Sequence, residues 1–432
     1  MLTAEDNDIL CRVEGGAPMG RLMRRHWLPA CMSEEVAEPD GTPLRVRLLG
    51  EDLVVFRDSR GRLGVLDERC PHRRASLAFG RNEECGLRCL YHGWKIAVDG
   101  TVVEAASEPP GSRVAERVRV KSYPAQEGGG LVWVYMGPPE AMTPFETPAW
   151  AGAPQTQVSI VKIRIACNWA QILEGAIDSA HSSTLHSSEI RPGTPGGAEE
   201  TFVTLRRPST DTSPRLEVDP TSFGFRYAAI RRPTIDPETH DYVRITAFIA
   251  PLTVLIPPNP RHGVVQLTAP IDDANTMFYF MAWGDGGKVP DQETWRNYCG
   301  TQLGIDLDER YRSRRTPENS YLQDRQAMKL GNFTGIRGIP NQDMAMWESM
   351  GRIADRSQER LGSSDLAIAQ FRRTMVRAAR TFVAGAPAIG LGEPRIPHVA
   401  IGSFAGIVPK TVDWRRLAAG DEQVPALEPM PG

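Results

Sequence analysis

The sequence has no basic excess. A net charge of −3 leaves no surplus cations to neutralise phosphates, which argues against a nucleic-acid binder. It has no long apolar run either. Nothing approaches the roughly eighteen residues of a membrane-spanning helix, and the best stretch, near Thr246–Ile256, is cut by Pro251. The opening Met1-Leu-Thr-Ala-Glu-Asp-Asn-Asp is acidic and lacks the positive-then-apolar pattern of a secretory leader. Cysteine is sparse and odd in number. Of seven, only Cys85 and Cys89 lie close together, which suits thiols or metal ligands in a reducing, cytoplasmic setting better than a disulfide framework. There is no GxGxxG phosphate loop, no internal repeat and no low-complexity tract. What remains is a chain of 432 residues, 41% hydrophobic and 24% charged, ordinary for a globular protein and long enough for two domains.

Residues 1–40 read as an entry segment with a short helix over Met19–Trp27. Short strands are then expected at Leu44–Leu49, Leu53–Arg57, Leu63–Asp67, Ile96–Val98 and Leu131–Met136. Turn compositions separate them, with Asp99-Gly100 the strongest hairpin signal. Pro138, Pro139, Pro144 and Pro148 make a stiff connector, so a boundary is placed near residue 145. Beyond it, strands are expected at Val158–Ala166, Phe202–Arg207, Phe223–Ile230, Tyr242–Ala250, Val264–Ala269 and Met277–Trp283. Their Gly, Pro and Asp breaks favour an antiparallel sheet. Residues 187–200 and 208–220 look like mobile loops. Helices are expected at Glu293–Leu303, Asp343–Met350 and Ser364–Phe382, and the last forty residues read as an extended tail.

Two motifs carry chemistry. In the first domain Cys70-Pro-His72 is followed by Cys89-Leu-Tyr-His92. Each half offers one thiolate and one imidazole, which is the ligand set of a Rieske [2Fe–2S] centre, where two histidines replace two cysteines on one iron. A Cys₂His₂ zinc site is the plainer reading, but zinc fingers pair Cys with Cys and His with His. Cys85 reads as a packed free thiol. The second motif is Asp178-Ser-Ala-His181-Ser-Ser-Thr-Leu-His186, at the end of an apolar-periodic run from Asn168 that reads as one helix to His181. Asp178 and His181 share a helix face. His186 lies roughly 140° further round an ideal helix, so convergence on one ion needs a break through Ser182-Ser183-Thr184, whose hydroxyls compete for backbone bonds. Two imidazoles and a distant carboxylate would form the facial triad of a non-haem Fe(II) oxygenase. Asp343, Asp324 and Glu348 are the candidate carboxylates, and Asp343 could equally cap its helix.

Together these motifs resemble the Rieske non-haem iron aromatic-ring-hydroxylating oxygenases, in their α subunit. Arg81–Arg88, Tyr91–Lys95 and Gln342–Gly351 look most like the phthalate 4,5-dioxygenase branch. The resemblance implies an α+β chain: a small all-β Rieske domain over residues 1–145, and a helix-on-antiparallel-sheet catalytic domain over 146–432. It implies Cys70, His72, Cys89 and His92 on a [2Fe–2S] cluster, and His181, His186 and Asp343 on mononuclear Fe(2+). Asp178 would be the acidic link from the iron histidine to the Rieske histidine of a neighbouring subunit. It further implies a homotrimer or stacked trimers, fed by a separate flavin and iron–sulfur NADH reductase. The expected reaction is cis-dihydroxylation of an aromatic carboxylate, phthalate above all, using O2. One departure stands out: many relatives place an Asn where this chain has Glu174.

A buried dicarboxylate needs cations, and Arg forks match carboxylates. Strand alternation puts Arg207 on one face with Val203 and Leu205, with Arg206 opposite. It puts Arg244 on a face with Tyr242, Thr246 and Phe248. Arg207 and Arg244 are therefore the candidate substrate-binding residues. Two other functions fit the motifs. One is a monooxygenase or O-demethylase on the same irons; the other is a Rieske electron carrier with a structural second domain.

Overall fold

A computed structural model describes residues 2–153, 155–193, 205–259, 262–393 and 395–418. The chain forms two compact units: one of Arg12–Phe145 with Ala269–Asp273, the other of Met1–Cys11, Glu146–Thr268 and Ala274–Gly432. The first eleven residues thus pack with the larger unit, whereas the sequence reading placed them with the smaller. Leu10 and Cys11 are fully buried, and the Cys11 carbonyl accepts from Asn168 Nδ2 at 2.9 Å.

The smaller unit is built from short antiparallel sheets. Leu44–Leu48, Glu51–Arg57 and Leu63–Asp67 form one. Arg81–Glu83, Gly86–Arg88, Trp94–Ile96 and Val102–Ala105 form another. The Asp99-Gly100 turn joins the last two strands. Gly100 has φ +82°, and a Cβ there would fall 2.1 Å from the Val120 carbonyl oxygen, so only glycine fits. Cys85, with φ 62°, occupies the tight turn between Arg81–Glu83 and Gly86–Arg88. The entry helix is shorter than expected, Pro18–Met23, because Trp27–Met32 is already a strand. Its Pro29 is accommodated at a register shift on the sheet edge, where a missing N–H costs least. Val54, Phe56, Leu66, Leu87, Trp94 and Ile96 pack around Cys70 and Cys89, which puts both thiols inside the core.

The larger unit is organised by an eight-stranded sheet. Its order is Thr156–Ile165, Asn275–Asp285, Gly263–Asp272, Thr253–Ile256, His240–Ile249, Gly224–Arg231, Arg215–Thr221, with Phe404–Pro409 also paired to His240–Ile249. Three expectations change here. Arg215–Thr221 is an edge strand in register with Gly224–Arg231, not a loop, and Pro220 is tolerated because it lies on that edge. Ile190–Pro192 pairs in parallel with Leu205–Arg207, while residues 194–200 of the expected loop, and the start of the expected Phe202–Arg207 strand, lie outside the described residues. The tail is not merely draped. Phe404–Pro409 joins the sheet, and Trp414 and Leu417 are buried beneath it. The helices Trp169–Ile177 and Ile339–Ser349 cover the site and pack closely. Gly175 makes that possible, since a Cβ there would meet Trp347 Nε1 at 2.3 Å. Among the described residues no helix is long and apolar enough to cross a membrane.

Candidate metal centres and active site

The helix begun by the Asn168 cap ends at Ile177, earlier than its periodicity suggests. Asp178 terminates it. In extended conformation, its Oδ1 accepts from the Ala180 amide at 2.7 Å and the His181 amide at 3.4 Å. The break therefore comes before His181 rather than through Ser182-Ser183-Thr184, and His181–Ser183 continues as a 3-10 turn. An Asx turn is a stronger competitor for backbone donors than serine hydroxyls are. This turn brings the imidazoles together, with His181 Nε2 3.1 Å from His186 Nε2.

Asp343 completes the group from the second turn of the Ile339–Ser349 helix, so it does not cap that helix. Its Oδ1 lies 3.2 Å from His186 Nε2 and 3.5 Å from His181 Nε2. Among the described residues this is the one group of three His, Cys, Asp or Glu side chains whose ligand atoms converge within 4.8 Å. The rival carboxylates are engaged elsewhere. Asp324 caps the Arg325–Lys329 helix, and Glu348 accepts from the Ala166 amide and the Tyr321 hydroxyl. Each imidazole is held from behind. Asp178 Oδ2 stands 3.4 Å from His181 Nδ1, and Gln342 Oε1 stands 2.7 Å from His186 Nδ1. Burial opposes the charge on Asp178, but the hydrogen bonds from His181 and the Ala180 amide hold its carboxyl below the ordinary value. Two imidazole nitrogens and one carboxylate oxygen, aimed at one point and backed by acceptors, fit a divalent iron.

In the smaller unit Cys70 and Cys89 begin two matching loops. The Arg74 amide donates to the Cys70 carbonyl, and the Gly93 amide to the Cys89 carbonyl. The loops present His72 and His92 to each other, with ring centroids 4.4 Å apart, and His72 stacks on Trp94 at 4.7 Å. Burial, with Cys89 beside it, pushes the Cys70 thiol up to about 11 against the opposing His72 amide. A Cys70 thiol so reluctant to ionise needs a metal cation to become a thiolate ligand. His72 Nδ1 is buried without a hydrogen-bond partner, as a nitrogen reserved for a metal would be. No three of these four side chains gather their donors within 4.8 Å. A single zinc ion would demand that gathering, whereas a cluster with two irons spreads its ligands apart.

A cavity of about 450 Å³ opens beside the His181, His186 and Asp343 group. Ile256, Val264, Phe280 and Ile339 supply apolar walls, and the tail adds Ala405, Gly406 and Ile407, a contribution the prolines of that segment did not signal. Tyr242, Arg244 and Thr246, alternating along one strand, line it together with Arg207. Arg206, expected on the opposite face, lines it too. The three-residue ribbon Leu205–Arg207 borders the cavity without the regular alternation of a long strand. The two arginines differ in burial instead, with Arg207 buried and Arg206 only half-buried. Val203 lies outside the described residues.

Arg207 donates to Ser183 Oγ at 2.7 Å and Ser182 Oγ at 2.8 Å, and its buried Nε has no partner. Among the described residues Arg244 reaches only the Tyr242 hydroxyl and the Pro257 carbonyl, both at 3.3 Å. Arg231, buried behind them, donates to the Ser179 carbonyl. Among the described residues none of the three has a carboxylate partner. Burial, then the charges of Arg244 and Arg231, push Arg207 down to about 9, and burial with Arg244 pushes Arg231 down to about 10. Cations held this way invite an anion.

Glu174 is a different matter. Arg356 and Arg372 each grip it bidentately, with Nε–Oε1 distances of 2.8 Å and Nη2–Oε2 distances of 3.1 Å. Burial would raise its carboxyl, but the two guanidiniums hold it low. It anchors the site helix and takes no part in the cavity.

Comparison with known proteins agrees with this anatomy. Residues 26–124 match the Rieske [2Fe-2S] domain, and residues 134–430 match the LigXa C-terminal domain like family. The chain is 60% identical over 419 residues to the phthalate 4,5-dioxygenase oxygenase subunit of Pseudomonas putida, covering 97% of this chain and 95% of that one. It is 37% identical to the 3-chlorobenzoate-3,4-dioxygenase oxygenase subunit of Comamonas testosteroni, covering 96% and 97%. Among solved structures, the NdmA QL mutant of Pseudomonas putida CBB5 with theobromine superposes with a TM-score of 0.59 at 17% identity, over 86% of this chain and 95% of that one. At such identity the likeness is one of fold.

Proposed function

Because this chain belongs to the Rieske non-haem iron oxygenases, we propose that it cis-dihydroxylates an aromatic dicarboxylate, phthalate above all, as the oxygenase component served by a separate NADH-dependent reductase. Both atoms of one oxygen molecule would enter the ring, with two electrons from the reductase and two protons. The observation that carries this reading is the pair Arg207 and Arg244, without carboxylate partners among the described residues, in a cavity that ends on His181, His186 and Asp343. A relative named for phthalate, similar along nearly the whole chain, supports the choice of dianion.

On this reading Cys70, His72, Cys89 and His92 hold the [2Fe–2S] cluster, and His181, His186 and Asp343 hold the ferrous ion. When bound, the cluster supplies electrons singly and the iron activates oxygen. The chain's own residues do the rest. Asp178 takes the Nδ1 proton of His181 in a hydrogen bond and so aims Nε2 at the ion. Arg207 and Arg244 bind the carboxylates and fix which ring edge faces the iron. Ile256, Val264, Phe280 and Ile339 exclude water around the ring. The oxygenase assembles as a trimer or stacked trimers, with Asp178 linking each iron site to a neighbouring cluster.

The test is turnover with purified reductase under oxygen-18, offering phthalate, isophthalate and benzoate. Phthalate should give a diol carrying two labels. A single label in the product would make the enzyme a monooxygenase. No turnover, with about two irons per chain, would leave only an electron carrier.

A further inference from the structure

His181 is backed by a carboxylate, but His186 is backed by an amide. Gln342 immediately precedes Asp343 on the Ile339–Ser349 helix and is fully buried. One helical turn therefore supplies both the acidic member of the group and the partner of one imidazole. The orientation of the Gln342 amide is settled by its other contacts. Its Nε2 lies 2.9 Å from Glu189 Oε1 and 2.9 Å from the Ile336 carbonyl oxygen. Turned the other way, the amide would set its oxygen against both of these acceptors in a buried site. Its Oε1 must then face His186 Nδ1, 2.7 Å away, and accept a proton from it. A ring protonated at Nδ1 keeps its lone pair on Nε2, the nitrogen 3.2 Å from Asp343 Oδ1.

Resting on the reading that His181, His186 and Asp343 hold the iron, we infer that Gln342 is a positioning residue of that centre, fixing the tautomer and aim of His186, and that Glu189 keeps the Gln342 amide in the required orientation. The two histidines are thereby made unequal. A carboxylate oxygen stands 3.4 Å behind His181 Nδ1, whereas an amide oxygen stands 2.7 Å behind His186 Nδ1.

The test uses enzyme stripped of its mononuclear iron but retaining its cluster, titrated with Co(II) by calorimetry. Nitrogen-15 spectra of labelled histidines report the tautomer. Gln342→Leu should weaken Co(II) binding about 10–100-fold and remove the Nδ1-protonated signature of His186. The exchanged pair Gln342→Glu with Glu189→Gln keeps an acceptor against His186 and an amide–carboxylate contact behind it, and gives up only the bond to the Ile336 carbonyl. It should bind Co(II) more tightly than Gln342→Leu and keep the signature. Retained cluster colour and cooperative melting establish that each variant is folded. Wild-type affinity and tautomer in Gln342→Leu would overturn the inference. So would an exchanged pair that binds Co(II) no better than Gln342→Leu, or that loses the signature, and this arm decides the matter if Gln342→Leu does not fold. His186→Ala is the control for the underlying reading: unchanged Co(II) binding there would refute the metal site itself rather than the role of Gln342.

Discussion

Replacing Arg207 by Met should move two quantities in opposite directions. Arg207 is 4% exposed, bonded among the described residues only to serine hydroxyls and next to two further arginines. Its folded-state value lies below its unfolded one, so below about pH 9 its charge opposes folding, and that opposition fades only as the pH rises past the folded value. A methionine of similar length removes the desolvated cation, so the ligand-free variant should melt no lower than the wild type. Substrate binding should suffer. A hydrogen bond to a charged group contributes about 1.5–3 kcal/mol, or about tenfold to a hundredfold in Kd. At free phthalate equal to about 100 times the wild-type Kd, the wild type gains about 2.7 kcal/mol of stability, and the variant should gain only about 0.4–1.4 kcal/mol. Thermal melts with and without phthalate read both effects, and titration calorimetry reads the Kd directly. An undiminished phthalate shift in the variant would refute the assignment, and a ligand-free Tm far below wild type would refute the electrostatic account.

Four further outcomes follow from the site. His181→Ala, His186→Ala or Asp343→Ala should lose one iron per chain and all turnover while keeping the cluster's visible spectrum, measured by metal analysis and absorbance. Cys70→Ser or His92→Ala should abolish that spectrum, and full iron with unchanged colour would contradict the cluster assignment. Asp178→Asn should retain both metals yet slow single-turnover reoxidation in stopped flow, because an amide accepts the His181 proton less strongly than a carboxylate. Glu174→Ala leaves Arg356 buried without its carboxylate and should cost about 3–5 kcal/mol in denaturant titration, with little change in the Kd for phthalate.

The chemistry was far more legible than the walls around it. Cysteine and histidine spacing exposed both candidate metal sites because ligand geometry constrains spacing tightly. The Asp99-Gly100 hairpin and the long strands were plain because turn chemistry and period-two patterning act locally. Asp343 could not be separated from Asp324 and Glu348 by local sequence, since only the fold brings residues 181 and 343 together. The resemblance, rather than periodicity, singled it out. The early end of the helix at Ile177 was hidden because an Asp side chain overrides the apolar rhythm around it. Gln342 stood inside the quoted Gln342–Gly351 stretch but had no chemistry of its own until its amide was seen against His186. The edge strand Arg215–Thr221 and the tail strand Phe404–Pro409 were disguised by proline and by polarity, both of which an edge tolerates. Glu174 stood out only as a departure from the Asn of many relatives, because its partners Arg356 and Arg372 lie some two hundred residues further along the chain, where local sequence does not show them.

The close approach at Gly175 bears on how this enzyme can be given new substrates. Gly175 and Trp347 both border the cavity, so a library built on lining positions would include them. Any side chain at Gly175 would drive apart the helices that lead into Asp178 and carry Asp343, and selection for a larger pocket would discard the approach of Asp343 to His181 and His186 along with the old specificity. Ile407 on the returning tail strand touches the same space, whereas Ile256 and Val264 pack against the cluster that holds Ile172 and Trp347 of those helices. Shape can be rewritten from that strand while the two crossing helices stay where they are.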